Sequence, residues 1–527
     1  MTFLSKDQKN LAMQMLRRKG LNSSDNNQLT QPEKSSALSG PLSHPQEGLW
    51  FLDQLHPGGD AYSIPCTIRI QGALDVSAIS KALQEIVARH QSLRTVFSTD
   101  DDGSPLQTVQ PDLPNFMEIV DLTSMAEEQR EQEVVRRATL EIKKPFDLSI
   151  GPLFRVVLIV VAPDDHVLCV NLHHIVADGW SLGIFSRELD ALYGDFKAGT
   201  TGSLRPLKLQ YLDFARWQRR HLRDSNLSQH LSYWRDQLGD VTTSTDLPSA
   251  NDNRTESGFE GSHEQLKLDS TTTRACRALA RSQSVTLYTI LLASFYCVLG
   301  AVTRERRLVV GSTFANRKHT DFEPIIGHFV NTLPIVAQLD DELTFEKLVG
   351  RLQRTVLETQ NHQDLSLGTI VKQLDLDRQL GSNPLFSIVF DFLTPDQNPA
   401  YFGYGMSFRA EGEYRLGDLR VTPMDVEGGI ARFDLAIFLW DFEDSIQGAV
   451  EYRSPQIEAS AVQALISHFK VAVECAIAAP DIALGDIFSA IERDVDRLRS
   501  VEGKKSKNAI RKSLRNIKAR ASNEELR

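Results

Sequence analysis

The chain has 527 residues, 41% of them hydrophobic, and a formal net charge of -11 at pH 7. That length can bury a sizeable core divided over two or more lobes, and the acidic balance opposes general nucleic-acid binding. The opening MTFLSKDQKN has no apolar stretch behind a basic flank, so no export signal is expected. Cys66, Cys169, Cys276, Cys297 and Cys475 are scattered and lack metal-ligand spacing, which reads as reduced packing thiols in a cytoplasmic protein and not as a zinc site.

In chain order, Ser5 and Gln8 are spaced as a capping box, and Leu11, Met15 and Leu16 predict a short amphipathic helix ending near Gly20, a candidate docking element. Residues 22–40 are rich in Ser, Asn, Gln, Pro and Lys and read as a linker. A mixed α/β region then begins at Pro41. It holds a strand over Ser63 to Ile70, a helix over Val76 to His90, and strands Leu153 to Val161 and His166 to Leu172 that turn over Pro163, Asp164 and Asp165. A helix is expected from about Ser181 to Tyr193. The polar segment 244–262 separates a first lobe, 41–243, from a second, 263–490. The apolar run Leu287 to Val302 is broken by Thr289, Ser294 and Gly300 and is too short to span a bilayer, so it predicts a buried helix and no membrane segment. Past Ile491 the chain turns basic, with Lys504, Lys505, Lys507, Arg511, Lys512, Arg515, Lys518 and Arg520. This predicts a solvated helical tail, with a partner-binding element as the sharper alternative.

The chemistry concentrates in HHIVADG, where His173, His174, Asp178 and Gly179 follow a predicted strand and precede a predicted helix. Side chains at such a junction project into clefts. At ordinary residue frequencies the pattern arises by chance in roughly one chain in a thousand of this length. An imidazole titrates near neutrality and can take a proton from an attacking amine or alcohol, and a nearby carboxylate can fix the loop or an arginine.

LHHIVADGWS resembles the central motif of the condensation domains of nonribosomal peptide synthetases. Other stretches agree with that family in order: SHPQEGLWFLDQL (43–55), in which His44 and Glu47 depart from the commonest form; RHQSLRTVF (89–97); YLDFARW (211–217); IGHFVNTLP (326–334); and, more weakly, HQDLSL (362–367) and RQLGSNPLF (378–386). The resemblance covers about Leu42 to Leu484. It implies an α/β fold of two chloramphenicol acetyltransferase-like lobes set in a V, with the active site midway along a tunnel between them. Donor and acceptor would arrive from opposite faces on the phosphopantetheine arms of acyl or peptidyl carrier proteins, with no bound cofactor. By the family pattern His174 is the catalytic histidine, as base or as electrostatic anchor. His173 and Asp178 are structural, Arg94 is the ionic partner of Asp178, Gly179 offers its N–H to an oxyanion, and Asn331 lines the site from the second lobe.

No carrier-protein or adenylation signature is present, so carriers would act in trans, with the N-terminal helix or the basic tail as docking elements. An amine acceptor gives an amide and a hydroxyl an ester. The main rival reading is a noncatalytic platform that recruits a tailoring enzyme to a carrier-bound amino acid. A serine hydrolase is a third, since GWSLG (179–183) matches GxSxG, but the best histidine lies upstream of Ser181, which reads instead as a helix N-cap.

Overall fold

Apolar, β-branched runs build the sheets of the computed structural model, which describes residues 32–497 except 56–57, 60, 223–224, 240–258, 375–384, 394–413, 425 and 427–428. The predicted N-terminal helix, most of the 244–262 segment, most of RQLGSNPLF and the basic stretch 504–520 therefore lie outside the described residues. The strands are β1 (Ser39–Pro41), β2 (Ser63–Gln71), β3 (Thr95–Thr99), β4 (Pro105–Val109), β5 (Met117–Asp121), β6 (Phe154–Ala162), β7 (Asp165–His173), β8 (Gly261–Leu268), β9 (Arg307–Phe314), β10 (Asn331–Gln338), β11 (Ile388–Leu393), β12 (Tyr414–Leu416), β13 (Leu419–Pro423), β14 (Leu435–Asp441) and β15 (Ile446–Arg453).

Two six-stranded mixed sheets organise the chain, in the orders β12-β13-β2-β7-β6-β5 and β10-β9-β11-β14-β15-β8, beside a small sheet β1-β4-β3. The α/β class expected from the sequence holds. In the first sheet β7 is nearly all buried because helices cover both faces: Val76–Arg89 and Gly179–Lys197 pack on one side and Glu127–Lys143 on the other. A strand buried on both faces can read as a continuous apolar run, and VLCV does. The second sheet is backed by helices Ser270–Ser282, Leu287–Thr303, Phe345–Asn361 and Ala459–Ala478 around the largest apolar cluster. Leu287–Thr303 is a buried core helix, as its composition predicts. Ala459–Ala478 is long and apolar enough to cross a membrane, but Val462, Phe469, Ala472 and Val473 bury it in this core.

The lobes are not sequential blocks. β13 pairs antiparallel with β2, Arg420 opposite Gln71, so 414–423 of the expected second lobe closes the edge of the first sheet. Both outer boundaries also move. β1 pairs with β4 from Ser39, and the Ser35 N–H donates to Asp213, so ordered structure starts inside the expected linker. A C-terminal helix runs over 484–497, past Ile491, with Asp494 buried against Ser467.

Candidate active site

HHIVADG spans the end of a strand, a turn and a helix cap. His173 ends β7 opposite Ser63. Its Nδ1 accepts the Ile175 N–H at 3.1 Å, its ring sits edge-on to Phe146, and burial holds its pKa down at about 3. His173 is a neutral turn-closing group. Asp178 is the N-cap of Gly179–Lys197, accepting the Ser181 N–H at 2.9 Å. Between them His174 anchors its N–H on the Tyr62 carbonyl at 2.8 Å and turns a buried ring toward the second lobe, where its Nδ1 lies 3.1 Å from Nδ1 of His328. Burial holds both rings neutral, His174 well below the usual histidine range and His328 near 4, helped at His174 by repulsion from His328 and at both by the Arg432 guanidinium, while Asp178 pulls His328 the other way. Arg432 itself reaches from the second half of the chain to the carbonyls of Ala61 and Ser63, both at 2.7 Å.

Asp178 is the hub of the inter-lobe contact. It pairs with Arg317 at 3.2 Å and accepts the N–H groups of Phe329 at 3.0 Å and Val330 at 3.2 Å as well as the Ser181 hydroxyl at 2.7 Å. Arg317 is fully buried, stacks on Phe329 at 3.9 Å and donates to the carbonyls of Phe322 and Ile325. The segment 326–331 is thus strapped to the first lobe. Tyr211 tightens the strap, donating to the His328 carbonyl at 2.5 Å. Its ring explains Gly327, where an added Cβ would stand 2.0 Å from Tyr211.

A family model for the condensation domain matches residues 39–498. The chain belongs to the condensation domain family. It is 35% identical over 447 residues to chondramide synthase cmdD of Chondromyces crocatus and 33% over 458 residues to malpinin synthetase of Mortierella alpina, covering 85% and 86% of this chain. It spans only 11% and 6% of those two proteins' lengths. Among solved structures it resembles the X-domain from teicoplanin biosynthesis (TM-score 0.74, 25% identity, 87% of this chain and 99% of that one). The first condensation domain of the calcium-dependent antibiotic synthetase, solved with a substrate analogue, shares the fold (TM-score 0.69, 18% identity, 85% and 99%).

Within this condensation domain, three expectations need correction or refinement. The ionic partner of Asp178 is Arg317, not Arg94. The Arg94 guanidinium donates instead to the carbonyls of Val87, Ala88, Gln110 and Pro111, clamping the end of one helix to the segment after β4. Second, the helix starts at Gly179 and its cap is Asp178. Ser181 stands at the third helical position, its hydroxyl bridging Asp178 and both backbone groups of Gly327. A buried serine two residues inside a helix is no nucleophile elbow. Third, Asn331 is buried at the start of β10, and its amide donates to the carbonyls of Gln363 at 2.9 Å and Leu365 at 2.6 Å, tying the strap to HQDLSL. Gly179 is buried as the first residue of its helix.

Sequence reasoning missed Arg317, His328 and Arg432. His328 lay inside a recognised motif, IGHFVNTLP, and a histidine there was the one available signal. Nothing local marks the other two, whose partners in the first lobe are over a hundred residues away in the chain.

Proposed function

We propose that this condensation domain joins a carrier-bound acyl or aminoacyl thioester to an amine acceptor, forming an amide, with His174 as the base. The amine nitrogen attacks the thioester carbonyl carbon while Nε2 of His174 takes the departing N–H proton. The C–S bond then breaks, and the thiolate of the donor's phosphopantetheine leaves and takes that proton from His174, which returns to the neutral ring. A hydroxyl acceptor follows the same course to an ester. The helix starting at Gly179 presents backbone N–H groups, which stabilise a developing oxyanion better than water does. Both arms would enter between the lobes from opposite faces, delivered by acyl or peptidyl carrier proteins in trans. Amine and thioester delivered side by side need no acyl-enzyme intermediate.

The observation that carries this reading is His174 itself: a buried imidazole held neutral, anchored through its backbone at a strand-to-helix junction and facing the other lobe. A neutral ring is what a base for an amine requires. His173, Asp178 and Arg317 hold that junction in place, and Asn331 acts through the loop it ties.

The similarity to the teicoplanin X-domain, one structure of which is a complex with OxyB, supports a second reading in which this protein docks a tailoring enzyme. Mixing the protein with loaded donor and acceptor carriers and reading the product mass separates the two. Catalysis predicts a new amide or ester that His174→Ala reduces by about 10²–10⁴-fold. Carrier binding with no product, unchanged by His174→Ala, would favour the platform.

A further inference from the structure

Two histidines meeting through like nitrogens set a constraint on where their hydrogens are. His174 and His328 face each other Nδ1 to Nδ1 at 3.1 Å, rings nearly perpendicular at 87° and centroids 5.0 Å apart. Two neutral imidazoles bond this way only if one of the two nitrogens carries a hydrogen and the other does not. A base at Nε2 of His174 requires the hydrogen of that ring on Nδ1, with Nδ1 of His328 accepting it and His328 carrying its own hydrogen on Nε2.

We propose that His328 is a positioning residue that fixes the tautomer of His174, holding the hydrogen on Nδ1 so that Nε2 presents its lone pair to the acceptor amine. This rests on the reading of His174 as the base of condensation. Without the second histidine, neutral His174 divides between two tautomers, and the one with hydrogen on Nε2 cannot take a proton there. The strap that sets His328 is rigid on both sides, through the Tyr211 hydroxyl on its carbonyl and through Asp178 on the next two N–H groups. The charged and titratable groups around the pair are Asp178 and His173 from the first lobe, Arg432 from the second half of the chain, and the Tyr211 phenol. Burial outweighs them and keeps both rings uncharged at neutral pH.

The test is the nitrogen-15 spectrum of the full chain labelled at histidine, with His174→Ala to assign the signals and His328→Phe and His328→Gln as variants. Wild type should show His174 protonated on Nδ1. His328→Phe keeps a ring but has no acceptor, and should move His174 toward the Nε2–H form, lowering kcat about tenfold or more with KM within about twofold. His328→Gln has an amide oxygen that can accept from His174, so it should restore the tautomer and most of kcat. A purely structural His328 would give Phe and Gln variants that lose thermal stability alike and leave the tautomer untouched. That result, or a wild-type His174 protonated on Nε2, overturns the proposal. If instead His174→Ala keeps its activity, the condensation reading falls, while the tautomer, read on the resting protein, still decides this inference separately.

Discussion

At the scale of single residues, Asp178 shows what a buried charge demands. It is 1% exposed, and it is tolerated because Arg317 and several N–H and O–H donors converge on it. Removing one member of a buried pair typically costs about 3–5 kcal/mol, because the other charge is stranded. Asp178→Ala should therefore lower the unfolding free energy by about that amount in urea titrations, and Arg317→Met on top of it should recover part of the loss. Arg94→Ala should add independently to Asp178→Ala within about 0.5 kcal/mol, since the two share no partner. A strong coupling to Arg94 would contradict the ion pair assigned here. Ser181→Ala should cost about 1–3 kcal/mol, beyond a plain cap, because it leaves the Gly327 N–H without its buried acceptor. Intact mass during turnover should show no acyl adduct on the protein. Asp178 was legible from its motif, and so was its need for a cation. Which cation was not, because Arg317 comes 139 positions later in the chain and only the folded contact between the lobes selects it over Arg94.

The elements tell a similar story of local legibility and hidden long-range pairing. Helix Val76–Arg89 and strands β2, β6 and β7 fall within a residue or two of their predicted ranges, since their periodicity is set by faces they bury locally. β13 joining β2 was not legible. Its five residues, LRVTP, name no partner strand, and pairing across more than three hundred residues is decided by which sheet edge is open. The C-terminal helix is a second case: basic composition beyond Ile491 hid the fact that 492–497 continue a docked helix. Asp494 in that turn is buried, accepts from Ser467 at 2.8 Å and pairs with Arg497. Ending the chain after 497 should therefore leave Tm unchanged, whereas ending it after 491 removes a charged buried hydrogen bond and should lower Tm by about 2–4 °C. Equal melting of the two truncated forms would show that the last turn contributes nothing. Gly327→Ala tests the strap, because its Cβ would drive into the Tyr211 ring and separate His328 from His174.

At the scale of the whole molecule, the buried histidines make stability depend on acid with a definite sign. Burial lowers His173 to about 3, and His328 and His362 to about 4, from the ordinary 6.5. Between those folded values and 6.5 the unfolded chain binds more protons than the native one, so stability is complete above pH 6.5 and is lost as pH falls toward 4. Two acids raised by desolvation act oppositely. Asp391 is raised to about 6 and Glu451 to about 7, so over the same window the native state holds protons there that the unfolded chain releases, and acid favours it. His174 and His90, also lowered by burial, tip the balance further toward the histidines. Urea midpoints should consequently be level from pH 8 to about 6.5 and fall below it, before ordinary carboxylates titrate. His328→Phe removes one of these proton differences, so between pH 6 and 5 its stability should fall with a slope shallower than wild type by about 1 kcal/mol per pH unit. An unchanged slope would mean that His328 is already protonated in the native state. A protonated His328 has no lone pair on Nδ1, and it would then have to donate to His174 and force the hydrogen of that ring onto Nε2.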